Sequence, residues 1–358
     1  MRGIYFILAW LTCTSAFACT AFQLKSKDGA LIYCRSLEFG FPLESELLIV
    51  PRATQFTAAP PAGGLRWQTK YGYVGMNQSF ARTLVSDGMN ERGLVVGCLY
   101  LPGLAQYQAP DLKRLEQSLN VSELASFLLA MCGTVAEVKT ALSTLLVVQA
   151  PLPVAGAGNF VLPLHFYVSD KNGACLIVEY IEGRLHLHDN PLGVLTNAPS
   201  FDWHLTNLAN YVNLSAINAP ALQLGAWSAK GFGQGSGLLG LPGDYTPPSR
   251  FVRAALFSKW ASPQKTAIET VRLGFHILNT FDIFDGIIQA KKDTPATDVT
   301  EWVIVHDQTN LKTYFRSYES LRIQRVDLSK IHFDQPGFRS IGLEKSFIVD
   351  EAALPHGD

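Results

Sequence analysis

The chain has 358 residues, 48% of them hydrophobic and 16% charged, with a formal net charge of −1. That is ample apolar material for a large core and too little charge for a disordered chain. The balance of charge excludes a basic nucleic-acid surface or a trap for acidic substrates, and no period of 20–50 residues points to a solenoid or propeller.

The first element is a leader. Arg2 precedes IYFILAWL (4–11), an apolar run too short to span a bilayer. AFA (16–18) then sets small residues at −3 and −1 of a cut before Cys19. The expectation is a signal peptide over 1–18 and one mature domain over 19–358. The product would be periplasmic or secreted, with no stable membrane anchor after processing. A lipoprotein signal fits less well, because Ala16 and Phe17 stand where Leu and a small residue are preferred.

CTAFQLKSKDGALIYCRSLEF (19–39) reads as two strands around an Asp28-Gly29 turn. ELLIVPR (46–52) is a further strand and AAPPAGG (58–64) a loop. KYGYVGMNQ and TLVSDGMNERGLVVGCLYLPG are strands with a turn at DGMNERG. VSELASFLLAMCGTVAEVKTAL (121–142) has helical spacing, with Ser122 as N-cap. Gly133-Thr134 splits it, and Thr134 with Glu137 forms a capping box for the second half. Asn172-Gly173 turns a hairpin between LHFYVSD and CLIVEYIEGRLHLHDN. SFDWHLTNLANYVNL, SRFVRAALFSKWA and QKTAIETVRLGFHILNTF read as helices, and a last hairpin turns near Thr309-Asn310. Strands pair through short turns rather than crossover helices. The pattern predicts an α+β layered sandwich of antiparallel sheets with helices outside.

Removing the leader takes Cys13 and leaves Cys19, Cys34, Cys98, Cys132 and Cys175. An odd number leaves at least one thiol unpaired, and Cys34, Cys98 and Cys132 sit in apolar runs as buried small hydrophobes. Cys19 is the thiol with chemistry. A cut before it puts a thiol and a free α-amine on one residue. An α-amine titrates near 7.7–8.0 and can take the thiol proton. Arg35, returned by the hairpin, is a cation that favours thiolate. His186 and His188 alternate on one strand without supporting ligands, so no metal is expected, and GFGQGSG (231–237) lacks the ending of a phosphate loop. No cofactor is implied. Asn90 reads as a turn residue tolerant of the left-handed region.

CTAF, DGALIYCRSLEF, SDGMNERGL, NPLGVLTNAPSFDWHLTNL, GLLGLPGDYTPPSRFVRAA and WVIVHDQTNLKTYFRSYES together resemble the choloylglycine hydrolase family. These are N-terminal-nucleophile hydrolases that include penicillin V acylases and conjugated bile acid hydrolases. The resemblance spans the mature chain in order. It implies a four-layer αββα sandwich and hydrolysis of linear amides through a thioester. It makes Cys19 the nucleophile, Arg35 its neighbour, Glu38 the holder of the α-amine where most members have Asp, and Arg250 a second active-site arginine. Asn197 supplies the side-chain donor of the oxyanion hole and Tyr100 its backbone donor. Tyrosine at position 100 is the penicillin V acylase choice; many bile salt hydrolases have asparagine. The substrate implied is a small amide with a flat or extended apolar acyl group, with Phe39, Phe41, Tyr100 and Trp203 lining its pocket. N-acyl homoserine lactones are a further option for an exported acylase, and conjugated bile acids are the alternative. A binding protein that has kept the fold and lost the chemistry is the non-enzymatic alternative. SFDWHLTNLANYVNLSAINAPALQLG (200–225) lies at the family's subunit-assembly segment and implies a homo-oligomer, a tetramer being one option.

Overall fold

The computed structural model describes residues 18–59, 63–154, 158–289 and 297–352. Of the expected leader, only Ala18 is among them. No helix of the described residues is long and apolar enough to cross a membrane.

The first strand, β1 (Cys19–Lys25), turns at Asp28-Gly29 into β2 (Leu31–Phe39). Gly29 has φ +90°, a region open to glycine without a Cβ penalty. The ladder pairs Cys19 with Leu37 and Ala21 with Arg35. Opposed residues share a face and alternate ones return to it, so Cys19, Arg35 and Tyr33 point the same way. On its other edge β1 pairs with Val194–Leu195, matching Ala21 to Leu195. Continued for two residues, that register brings Asn197 alongside Cys19. Beyond β2 lie Val299–Asp307, Lys312–Ser317 and Gln324–Asp327, completing a six-stranded sheet.

An eight-stranded sheet faces it, ordered Arg184–Asp189, Cys175–Ile181, Leu164–Ser169, Val95–Tyr100, Asp87–Asn90, Tyr73–Met76, Glu46–Val50 and Arg339–Gly342. Neighbours in both sheets run antiparallel. Helix α1 (Leu124–Met131), followed by α2 (Val135–Thr144), covers the eight-stranded sheet. Beyond α3 (Phe201–Leu208), helices α4 (Pro247–Trp260) and α5 (Ala267–Leu278) cover β1 and β2. The order of layers is helix, sheet, sheet, helix, as the resemblance implied.

Local details differ from the sequence reading. DGMN of the expected turn is strand, and only the residues after Asn90 turn. Asn90 is therefore not left-handed. Its Nδ2 donates to the carbonyls of Leu129 and Cys132, and its Oδ1 accepts from Arg92 and Leu94, tying the hairpin to the end of α1. Ser122 does not cap α1; Asn120 caps the 3-10 turn that leads into it, in a reciprocal box with Glu123. Thr134 caps α2, but the Glu137 carboxylate reaches back to the Gly133 N–H instead of closing on Thr134. The five described cysteines are all free and buried.

Candidate active site

The two sheets approach closely where Cys19 begins the first strand. Gly97 makes this possible: a Cβ there would lie 2.5 Å from Tyr33 Oη and 2.8 Å from Asp87 Oδ2. Into that gap β2 sends Arg35, wholly buried. Its Nη2 lies 3.6 Å from Cys19 Sγ and also donates to the Cys98 carbonyl, while Nη1 donates to Ser86 O at 2.7 Å and to Asp87 Oδ2 at 3.0 Å. Its guanidinium also stacks 5.3 Å from the Trp302 ring centre. Asp87 is further held by Tyr33 Oη at 2.8 Å and His306 Nε2 at 3.0 Å, and His306 in turn by Thr313. Arg35 thus meets the thiol in a fixed plane.

A second arginine comes from the helical side. Arg250, buried in α4, donates to the Cys19 carbonyl, to Thr20 Oγ1 at 2.9 Å and to Asn197 Oδ1 at 2.7 Å, with Nε on Tyr245 O. The same Asn197 oxygen accepts the Cys19 N–H at 2.8 Å, and Asn197 Nδ2 donates to the Tyr100 carbonyl at 3.0 Å. Along the Tyr100 strand, Cys98 donates to Ser86 and Leu101 to Pro163. Strand alternation therefore turns the Tyr100 N–H toward the Cys98 side, where Arg35 sits.

Glu38 is buried on the face of β2 opposite Arg35. Its backbone N–H donates to the Ala18 carbonyl at 2.9 Å, extending the ladder by one residue. Its Oε1 accepts a long 3.4 Å bond from Thr300, and Oε2 has no well-formed hydrogen bond among the described residues. Burial pushes this carboxyl up to about 8, outweighing the Arg250 guanidinium and the Ser36 hydroxyl. With Ala18 in place, the Cys19 nitrogen contacts Asn197, not Glu38. The Cys19 thiol is likewise raised, by burial first and the Glu38 charge second, against the lowering pull of Arg35.

The Glu38 shift has a sign that can be measured. The unfolded carboxyl ionises near 4.5 and the folded one near 8. Between these values the folded chain holds the extra proton, so stability from this group is present below about pH 4.5 and is lost as pH rises through 8. In protein that retains Ala18, thermal melts of Glu38→Gln should decline less than wild type over that window. Parallel declines would show that Glu38 is not the buried acid.

Cys19, Glu38 and Tyr100 line one narrow cleft whose other lining residues are mostly apolar, among them Leu37, Phe39, Leu43 and Phe80, with Gln78, Ser86 and Ser122 the polar exceptions. Of the aromatics expected there, Phe41 packs edge-on against Phe39 at 4.7 Å and is not itself in the wall. Trp203 is a correction: it lies on α3, 43% exposed and edge-on to His204, away from the cleft. An exposed helical face, not burial, explains its helical spacing. The described residues hold no cluster of three or more His, Cys, Asp or Glu suited to a metal.

The six residues singled out in the sequence therefore gather around Cys19: a thiol beside one guanidinium, its backbone beside another, a carboxamide at its nitrogen, Tyr100 in the same cleft, and Glu38 also lining the cleft with its carboxyl turned to Thr300. Such a site sets a cation beside the thiol and places amide donors that can meet a carbonyl oxygen's developing charge. Residues 19–340 match the linear amide C–N hydrolases, choloylglycine hydrolase family. The chain belongs to the choloylglycine hydrolase family. It is a hydrolase of linear amide C–N bonds, with the sandwich fold of its relatives. A bile salt hydrolase/transferase of Clostridium perfringens is 31% identical over 334 residues, covering 93% of this chain and 99% of that one. A crystal structure of a variant of conjugated bile acid hydrolase from the same organism superposes with a TM-score of 0.83 at 30% identity, over 94% of this chain and all of that one. A penicillin V acylase of Pectobacterium atrosepticum is 29% identical over 352 residues, covering 92% and 86%.

Sequence reasoning missed part of this family member's site. Asp87 was read as turn, although SDGMNERGL was among the blocks singled out. Tyr33 and His306 read as ordinary strand residues. Their partners lie 54 and 219 residues away, and no local spacing signals such a contact.

Proposed function

We propose that this protein is an exported cysteine amidase with Cys19 as its N-terminal nucleophile, acting on amides of a flat or extended apolar acyl group. The observation that carries the reading is the placement of Cys19 Sγ in a narrow apolar cleft, 3.6 Å from Arg35 Nη2, with Asn197 at its nitrogen. The family match also starts at Cys19 and leaves residues 1–18 outside it.

In this mechanism, removal of the leader turns the Cys19 amide nitrogen into an amine. The neutral amine takes the thiol proton, and the thiolate attacks the carbonyl carbon of the substrate. The oxygen's charge is met by the Asn197 carboxamide and the Tyr100 N–H. The C–N bond breaks as the amine returns the proton to the leaving nitrogen, which leaves a thioester on Cys19. Water, deprotonated by the same amine, then releases the acid. Glu38, with a buried oxygen lacking a good partner, is placed to balance an ammonium at Cys19, and Arg250 holds the residue's carbonyl.

The cleft's lining supports the proposed acyl preference. Its aromatic wall at Phe39 and Tyr100 suits an aryloxyacetyl or fatty-acyl chain, as in penicillin V or an N-acyl homoserine lactone. A second reading, a conjugated bile acid hydrolase, is favoured by the 31% identity with the clostridial enzyme. An intact mass of the secreted protein, followed by parallel assays on phenoxyacetyl amides, fatty-acyl amides and glycocholate, separates them. Tyr100→Ala should lower kcat/KM at least tenfold on the preferred substrate; unchanged kinetics on every amide would remove Tyr100 from the acyl site.

The two-stranded hairpin Leu222–Leu224 and Trp227–Ala229 leaves Leu222, Leu224 and Trp227 exposed. This supports assembly into a homo-oligomer through that region, and light scattering on the same preparation reads the subunit count.

A further inference from the structure

Asn197 stands just beyond the strand Val194–Leu195, yet its side chain must meet three groups at once: Cys19 N, Arg250 and the Tyr100 carbonyl. What holds its backbone is a pair of buried histidines. His165 Nε2 lies 2.9 Å from the Thr196 carbonyl oxygen, and His204 Nε2 lies 2.8 Å from that of Asn197. A carbonyl only accepts, so both nitrogens carry the proton.

The consequence for His165 is specific. Its other ring nitrogen, Nδ1, faces Glu179 Oε1 at 3.0 Å. With Nε2 already a donor, a neutral ring would set a lone pair against a carboxylate. The pair therefore holds an additional proton, either on His165 as imidazolium or on Glu179 as acid. Both side chains are wholly buried. Glu179 also accepts the Phe201 N–H at 3.1 and 3.3 Å, where α3 begins, and His188 Nε2 approaches its Oε2 at 3.7 Å. Helix α3 carries His204, whose ring stacks on Phe251 at 4.6 Å and 8°. Burial drives His204 down to about 4, so the ring is neutral and its one N–H is spent on Asn197.

We propose that His204 and the His165–Glu179 pair are positioning residues for amide hydrolysis, clamping the peptide groups on both sides of Asn197 so that its carboxamide stays aimed at Cys19. The proposal rests on the reading that Asn197 acts at the scissile carbonyl. None of the three touches the thiol; they act through Asn197. A misplacement of about 1 Å in such a group costs on the order of 100-fold in rate.

His204→Phe is the test, because it keeps the stack on Phe251 and removes only the donor. The expected result is a roughly 10- to 100-fold fall in kcat with KM within about threefold. Alkylation of Cys19 by iodoacetamide should stay at the wild-type rate, because the nucleophile is intact. Glu179→Gln can accept from Phe201 and donate to His165 Nδ1, so it should retain kcat within about threefold, whereas Glu179→Leu should fall as His204→Phe does. If His204→Phe does not fold, the Glu179 pair carries the test. Wild-type kcat in folded His204→Phe or Glu179→Leu overturns the proposal, as does a kcat loss matched by slower alkylation. A crystal structure of His204→Phe with Asn197 unmoved overturns it whatever the activity. Wild-type protein that alkylates slowly and cleaves no amide indicts the proposed function instead.

Discussion

Replacing Cys19, the proposed nucleophile, with alanine is expected to cut amide hydrolysis by at least about 10⁴-fold while leaving the fold intact, since losing a nucleophile that acts as a unit with its base removes nearly all of the chemistry. One sulfur is lost from a buried position at the start of β1, and the ladder to Leu37 needs only backbone. The same loss is expected in a variant that cannot shed the proposed leader. With Ala18 attached, the Cys19 nitrogen is an amide that donates to Asn197 and cannot accept a proton. The thiol is then held above its ordinary pKa by burial, and Arg35 at 3.6 Å does not reverse this. In the proposed mechanism the site then lacks its base until the leader is removed. Intact mass and turnover, measured on the Cys19→Ala protein and on a cleavage-blocked one, check both halves. Full turnover by protein that still carries residue 18 would sink the N-terminal amine as the base.

The second large effect is expected at Asp87. Asp87→Ala takes away the carboxylate that meets Arg35 at 3.0 Å, Tyr33 at 2.8 Å and His306 at 3.0 Å, all wholly buried or nearly so. Removing one partner of a buried ion pair strands the other charge, at a cost of about 3–5 kcal/mol. For the residues from Cys19 onward, at about 2.1 cal/mol/K per residue, that corresponds to a fall of roughly 4–7 °C in Tm. Arg35 would also lose its fixed plane beside Cys19 Sγ, so iodoacetamide should label the thiol more slowly. Asp87→Asn, which keeps an acceptor oxygen, should fall between the two. A melt within 1 °C of wild type together with unchanged labelling would show that Arg35 is held without Asp87.

Much of this protein was legible from local signals. Asp28-Gly29 and Asn172-Gly173 turned the hairpins where expected, because glycine alone accepts φ near +90° without cost. The β1–β2 turn in turn set the register that returns Arg35 to the face of Cys19. The resemblance of several blocks drew Asn197, Tyr100 and Arg250 to the same place, and the structure brings all of them within reach of Cys19. Turn chemistry and strand alternation are short-range, and a sequence carries them openly.

What only the tertiary structure decided is which charges the site buries together and at what protonation. Glu38 lies on the face of β2 away from Arg35, where burial, not the missing ammonium partner, sets its pKa. Asp87, read as turn, became the anchor of Arg35 from the opposing sheet. Trp203 was excluded from the cleft because α3 turns it outward, and Glu179 and His165 were invisible because their pairing spans two strands. Burial and cross-sheet pairing depend on distances between segments far apart in the chain. The free energy of a buried charge depends on those distances, which no spacing along the chain encodes.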